Sequence, residues 1–213
     1  MNIVNTEDFF TPAEQEQIRL AVAAAERTTS GEIATMVVER SDHYREAVIL
    51  GAVLGAAVAA LLVAVASHHI TIWSYIPLTV ILYFPAYAII RSVPALQRPF
   101  IAGSRLDEAV RARAVRAFYE KGLYRTRHET GILLFISIFE RKVWILGDRG
   151  INARIPAESW QQLVQIVTAG IRDGRSCEAL CDVIARCGEQ LALHFPRQRD
   201  DRNELQDTIL FER

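Results

Sequence analysis

Two short polar segments of this 213-residue chain hold side chains able to work on a phosphoester. They are Arg127-His128-Glu129-Thr130 ahead of Gly131, and Asp148-Arg149 between Gly147 and Gly150. Phosphoester hydrolysis needs cations on the phosphoryl oxygens and either a metal-bound water or an activated side-chain nucleophile. Arg127 and Arg149 supply charge, His128 supplies acid–base chemistry, and Glu129 or Asp148 supplies a base or a metal ligand. Glu32 is a third carboxylate for such an ion, which would be calcium or magnesium. The same residues equally suit ordinary polar loops around turn glycines. No Walker loop, Gly-x-Ser-x-Gly elbow or His-Glu-x-x-His helix accompanies them.

The elements that must position these loops are readable from periodicity. Thr11-Pro12-Ala13-Glu14 is a capping box with proline at the first helical position, opening a helix that buries Ile18, Val22 and Ala25. Glu32 to Glu39 reads as a strand. Ser104 to Asp107 starts a second amphipathic helix with Leu106, Val110, Ala114, Ala117 and Phe118 on one face, and Gly122 stops it. Gly131 to Phe139 is almost unbroken apolar sequence, the mark of a central strand covered on both faces. Glu140-Arg141 turns it into an antiparallel partner over Val143 to Leu146. Two helices follow, one carrying Trp160, Leu163, Val164, Val167 and Ile171, the other Leu180, Ile184 and Leu191 with Ser176 as its expected cap. The order predicts an α/β sandwich with a small mixed sheet of three strands. Parallel pairing of the first two strands would bring Thr28 to Ser30, Arg127 to Thr130 and Gly147 to Gly150 to one rim, with Glu129 near Asp148. Ser41 to His43 and Glu140-Arg141 fall at the other end.

Between the first strand and the second amphipathic helix lies an uncharged stretch from Ala47 to Ile90, bounded by Glu46 and Arg91. It holds two apolar segments, 47–67 and 70–90, each about 21 residues or roughly 31 Å as helix, enough to cross a bilayer. The predicted organisation is therefore 1–45 and 92–196 as the two parts of one domain, 46–91 as an inserted transmembrane hairpin, and 197–213 as a charged tail. Arg40, Arg45, Arg91, Arg98 and Arg105 flank the spans, while Ser67-His68-His69 between them has no Lys or Arg. Both termini are expected in the cytoplasm, with the protein multi-pass in the inner (plasma) membrane and without a cleavable signal peptide. Gly51, Gly55 and Ala59 form a small-residue stripe expected to pack the first span on the second.

The 51% hydrophobic content fits a chain with such a hairpin, and the net charge of −1 excludes no partner by itself. No nucleic acid is expected. Arg105, Arg111, Arg113 and Arg116 follow the membrane exit and either meet anionic lipid headgroups or form a solvated helix face. Three cysteines, Cys177, Cys181 and Cys187, fall in one predicted helix. Cys177 and Cys181 at i, i+4 lack the further ligands of a tetrahedral metal site, and the three read as small buried residues in a reducing compartment. His68-His69 reads as a polar turn.

The series Thr11-Pro12-Ala13-Glu14, Ser30-Gly31-Glu32-Ile33, Gly122-Leu123 with Thr126, Gly131 to Leu134, Arg141-Lys142-Val143, and Asp148 with Gly150-Ile151 resembles the TPM domain. Trp160, Gly174, His194-Phe195-Pro196 and Asp200 to Leu205 resemble a bacterial membrane-protein branch whose TPM domain is split by a two-span hairpin. The resemblance implies a TPM-like fold and a choice of roles, since relatives include a thylakoid-lumen protein linked to photosystem II repair and acid phosphatase activity, some calcium-binding domains, and an animal protein that modulates an acetylcholine receptor. One implied role is a membrane-tethered module that binds or assists other membrane proteins. The alternative is a membrane-bound acid phosphatase-like hydrolase, with or without a divalent metal. In many relatives the loop before the central strand is rich in Asp and Asn. Here it reads Thr-Arg-His-Glu-Thr-Gly, few oxygen ligands for a cation that takes about six to eight.

Overall fold

The computed structural model describes residues 6–67, 71–198 and 204–212. Its elements in order are α1 (Pro12–Glu26), β1 (Glu32–Val38), α2 (Arg45–Ala66), α3 (Ile72–Ser92), α4 (Pro94–Gln97), α5 (Gly103–Glu120), β2 (Gly131–Ser137), β3 (Lys142–Gly147), α6 (Arg149–Asn152), α7 (Ala157–Arg172), α8 (Ser176–His194) and β4 (Leu210–Glu212). They form two compact units, Met1–Ser41 with Asp107–Arg213, and Asp42–Leu106.

In the first unit the sheet runs in the order β3-β2-β1-β4. β1 and β2 are parallel, with Glu32 opposite Gly131, and β2 and β3 are antiparallel, with Ile132 opposite Gly147. Every residue of β1 and β2 is buried because helices cover both faces. On one face Ile33, Val37, Ile132, Leu134 and Ile145 join a core with Ile18 and Val22 of α1, Trp160 and Val167 of α7, and Leu180 and Ile184 of α8. On the other, Ala34, Met36, Leu133 and Phe135 pack with Val110, Ala114, Ala117 and Phe118 of α5. The expected α/β sandwich with a mixed sheet is thus present.

Local signals explain the element ends. Thr11 Oγ1 accepts from the Glu14 amide at 3.3 Å while the Thr11 amide donates to the Glu14 carboxylate at 2.8 Å, closing the capping box. Gly122, at φ 70°, ends the turn after α5 in the left-handed conformation that glycine adopts without penalty. α8 departs from expectation: Arg175 occupies the cap position without a side-chain bond, and Ser176 is already helical. The sheet also has a fourth strand. Residues 210–212 return along the free edge of β1, pairing Met36 with Leu210 and Val38 with Glu212 in parallel. The charged segment is therefore not a bare extension at its end. Glu212 meets Arg113 and, at 3.9 Å, Lys121.

In the second unit α2 and α3 pack as a hairpin, each long and apolar enough to cross a membrane. The face of α2 that packs inward is Val48, Ala52, Ala56, Ala60 and Ala64, joined near its base by Ile90, Tyr83 and Tyr87 of α3. Of the expected stripe, Gly51 is buried against the second span, where an added Cβ would lie 3.1 Å from Ile90 of α3; Gly55 is exposed, with Ile90 at an ordinary 4.0 Å, and Ala59 is half-buried. Pro77 and Pro85 stand inside α3 without breaking it. The expected turn residues His68 and His69, the start of the second span at Ile70, and Asp200 to Asn203 lie outside the described residues. Arg105 pairs with Asp42 and, at 3.5 Å, with Glu46.

Candidate functional site

Parallel pairing of β1 with β2 places their starts side by side, and the antiparallel β3 ends beside them. The three polar loops therefore meet at one rim. Backbone bonds lace them together: the Glu32 amide donates to the Thr130 carbonyl at 3.1 Å, the Asp148 amide to the Gly131 carbonyl at 2.8 Å, and the Gly150 amide to the Glu129 carbonyl at 3.0 Å. Thr130 Oγ1 adds a bond to the Ser30 carbonyl at 3.0 Å. Gly150 is a glycine by necessity, since an added Cβ would lie 2.6 Å from the Glu129 carbonyl oxygen and 2.7 Å from that of His128.

The close seam has electrostatic consequences. Asp148 Oδ1 accepts from the Arg149 amide at 2.7 Å and so caps the short α6. Its other oxygen is buried with no hydrogen-bond partner among the described residues. Burial, opposed by the bond from the Arg149 amide and reinforced by the nearby Glu129 charge, holds the Asp148 carboxyl above the ordinary aspartate range. Glu129 sits at φ 54°, a left-handed conformation unusual for a residue with a side chain. Arg127, His128, Glu129 and Arg149 are all exposed.

Glu32 departs from its expected place in this group. Only 4% exposed, it accepts a hydrogen bond from the Leu205 amide at 3.1 Å. Glu204 accepts from the Arg127 amide at 2.8 Å. Thr29 Oγ1 donates to the Phe195 carbonyl at 2.7 Å, and Ser30 Oγ accepts from the Gln198 amide at 3.1 Å. The Ser30-Gly31-Glu32 motif is thus a clamp on the segment following α8. Glu204 and Leu205 are rim residues that sequence reasoning left in the tail; an acid followed by an apolar residue was the available signal.

A calcium or magnesium ion needs several oxygen ligands together. Among the described residues no three of His, Cys, Asp and Glu converge to hold a metal. With Glu32 turned to Leu205, the rim residues do not fit a divalent-metal centre.

Residues 100–190 match the family model described as the TPM domain. This part of the chain is similar to the TPM domain. The match begins just before α5 and ends within α8, so it takes in both the central β2–β3 hairpin and the two loops that meet at the rim. Among solved structures, the NMR structure of the BA42 protein from the psychrophilic bacterium Bizionia argentinensis is similar, with 21% identity over 97% of each chain and a TM-score of 0.62. That likeness shows the fold. No curated protein matches the chain.

Proposed function

We propose that the chain is a membrane-tethered accessory module, in which the α2–α3 hairpin anchors a cytoplasm-facing TPM domain that binds other membrane proteins or complexes. The observation that supports the anchor is the outward apolar surface of the hairpin. Leu54, Val58 and Leu62 on α2 and Ile76, Ile81 and Phe84 on α3 are all exposed, a surface that water disfavours and hydrocarbon accepts. The cytoplasmic orientation rests on Arg40, Arg45, Arg91, Arg98 and Arg105 flanking the spans. Of the four arginines considered for anionic lipid, Arg105 and Arg113 are held in ion pairs, which leaves exposed Arg111 and Arg116 for headgroups. What supports the accessory role is the exposure of Arg127, His128, Glu129 and Arg149 at the rim, with no converged metal set among the described residues. Two measurements test it: membrane fractions should retain the chain through alkaline carbonate extraction, and crosslinking in intact cells should join the TPM domain to a membrane protein. Release by carbonate would overturn the anchor, and crosslinks to soluble proteins alone would overturn the role.

The second reading is phosphoester hydrolysis at the rim. Its supporting observation is Asp148, an acid held toward its protonated form beside exposed Arg149. An assay of the intact protein on a phosphomonoester, with and without calcium or magnesium, decides it: activity lost in Asp148→Asn supports hydrolysis, and no turnover in the parent ends it.

A further inference from the structure

An open pocket lies between α1 and α8, away from the rim. Glu14, Gln17 and Ala21 line one side and Cys177 and Cys181 the other. Cys177 Sγ is 3.4 Å from Gln17 Oε1 and 3.8 Å from the Glu14 carbonyl oxygen. Cys177 is 7% exposed and Cys181 half-buried at the pocket wall, whereas Cys187 is fully buried in the core on the same helix. Two of the three thiols therefore share one cavity, and burial in the core sets the third apart.

Helix geometry decides what such a pair can do. Side chains at i, i+4 have Cβ atoms about 5–6 Å apart. A disulfide needs Cβ atoms within about 3.5–4.5 Å, so oxidation of this pair would require α8 to distort. A linear sulfur–metal–sulfur bridge inserts an atom between the sulfurs and spans the longer separation without that distortion. Zinc takes four ligands, and no third His, Cys, Asp or Glu joins the pair among the described residues. Soft thiolates select copper(I) over harder cations.

We propose that Cys177 and Cys181 form a two-coordinate site for a soft monovalent cation of the copper(I) class. Binding breaks two S–H bonds, forms two S–Cu bonds and releases two protons to solvent, with copper remaining in its monovalent state. The charged groups facing the thiols are Glu14 from α1, Arg175 at the cap of α8 and Glu178 in its first turn, the last two paired at 3.7 Å.

The test is an anaerobic titration of the full chain in mild detergent with copper(I) held by a chromogenic chelator. The parent should withdraw one copper per chain, Cys177→Ser and Cys181→Ser should each lose that ability, and Cys187→Ser should keep it. Alkylation with iodoacetamide, read by mass spectrometry on the parent protein, gives a measurement independent of variant folding: copper(I) should protect Cys181. The proposal is overturned if the parent leaves the ion with the chelator, if either folded single variant still takes it, or if Cys181 alkylates equally with and without copper(I).

Discussion

The carboxylate of Glu32, at the first residue of β1, accepts a hydrogen bond from the Leu205 amide at 3.1 Å, across 173 positions of sequence. A carboxylate buried to this extent is tolerated only with partners, and the returning segment supplies one. Glu32→Ala should therefore loosen residues 204–212 and lower stability by about 1–3 kcal/mol. Thermal unfolding and limited proteolysis read the effect; a variant as protease-resistant as the parent across that segment would show that the clamp lies elsewhere.

The seam between the loops gives a second prediction. Gly150→Ala drives a Cβ into the carbonyls of His128 and Glu129, backbone atoms that cannot swing aside. The expected cost is about 1–3 kcal/mol, the range for overpacking. Hydrogen exchange should rise at the Gly150 amide, whose acceptor is displaced. Unchanged exchange there would mean that the rim absorbs the extra methyl.

Asp148 gives a pH dependence whose sign follows from its environment. Its folded-state pKa is raised, so between the unfolded value and the folded value the native state binds more protons than the unfolded chain. The penalty of ionising it is absent below the unfolded value of about 3.9 and fully present above the folded one. Asp148→Asn keeps an oxygen for the Arg149 amide and removes the charge. It should be more stable than the parent at neutral pH, with the difference shrinking toward acid. Denaturant melts across that range check it, and a gap that widened in acid would contradict the burial argument.

In the hairpin, Ala56 and Gly55 are adjacent in sequence and opposite in consequence. Ala56 is fully buried within the hairpin unit and Gly55 is exposed. Ala56→Leu should destabilise the pair of helices by about 1–3 kcal/mol in detergent, while Gly55→Leu should leave it nearly unchanged. Thermal aggregation of the two variants separates them. The reverse ranking would indicate that the Gly51-Gly55 face is the packed one.

These contrasts mark what the sequence made legible. The capping box at Thr11, the unbroken apolar strand from Gly131 and the uncharged pair of helices are each written in local sequence and can be seen without tertiary knowledge. The meeting of the Glu129 and Asp148 loops followed from strand direction alone. The fourth strand was not visible, because Leu210-Phe211-Glu212 is three residues long and its place is specified by the free edge of β1, by Arg113 on α5 and by Lys121 in the turn after it. The packed face of α2 was legible only in part: Gly51-Gly55-Ala59 and Ala52-Ala56-Ala60 are both small-residue stripes, and the burial of Gly51, Ala52, Ala56 and Ala60 with Gly55 left exposed is set by how the neighbouring helices pack. Glu32 looked like a ligand because its partner, a backbone amide, carries no signature.

The pairing of Glu32 with Gly131 also sets a timetable for synthesis. β1 emerges from the ribosome roughly a hundred residues ahead of its first neighbour, a wait of about 5–20 s at ~5–20 residues per second. During that interval a run of seven residues destined for full burial has no sheet to join, while the whole apolar hairpin is being made. Such a strand is sticky in the unpaired state. The apolar insertion between β1 and β2 therefore lengthens the interval for which β1 waits for the neighbour that completes its burial.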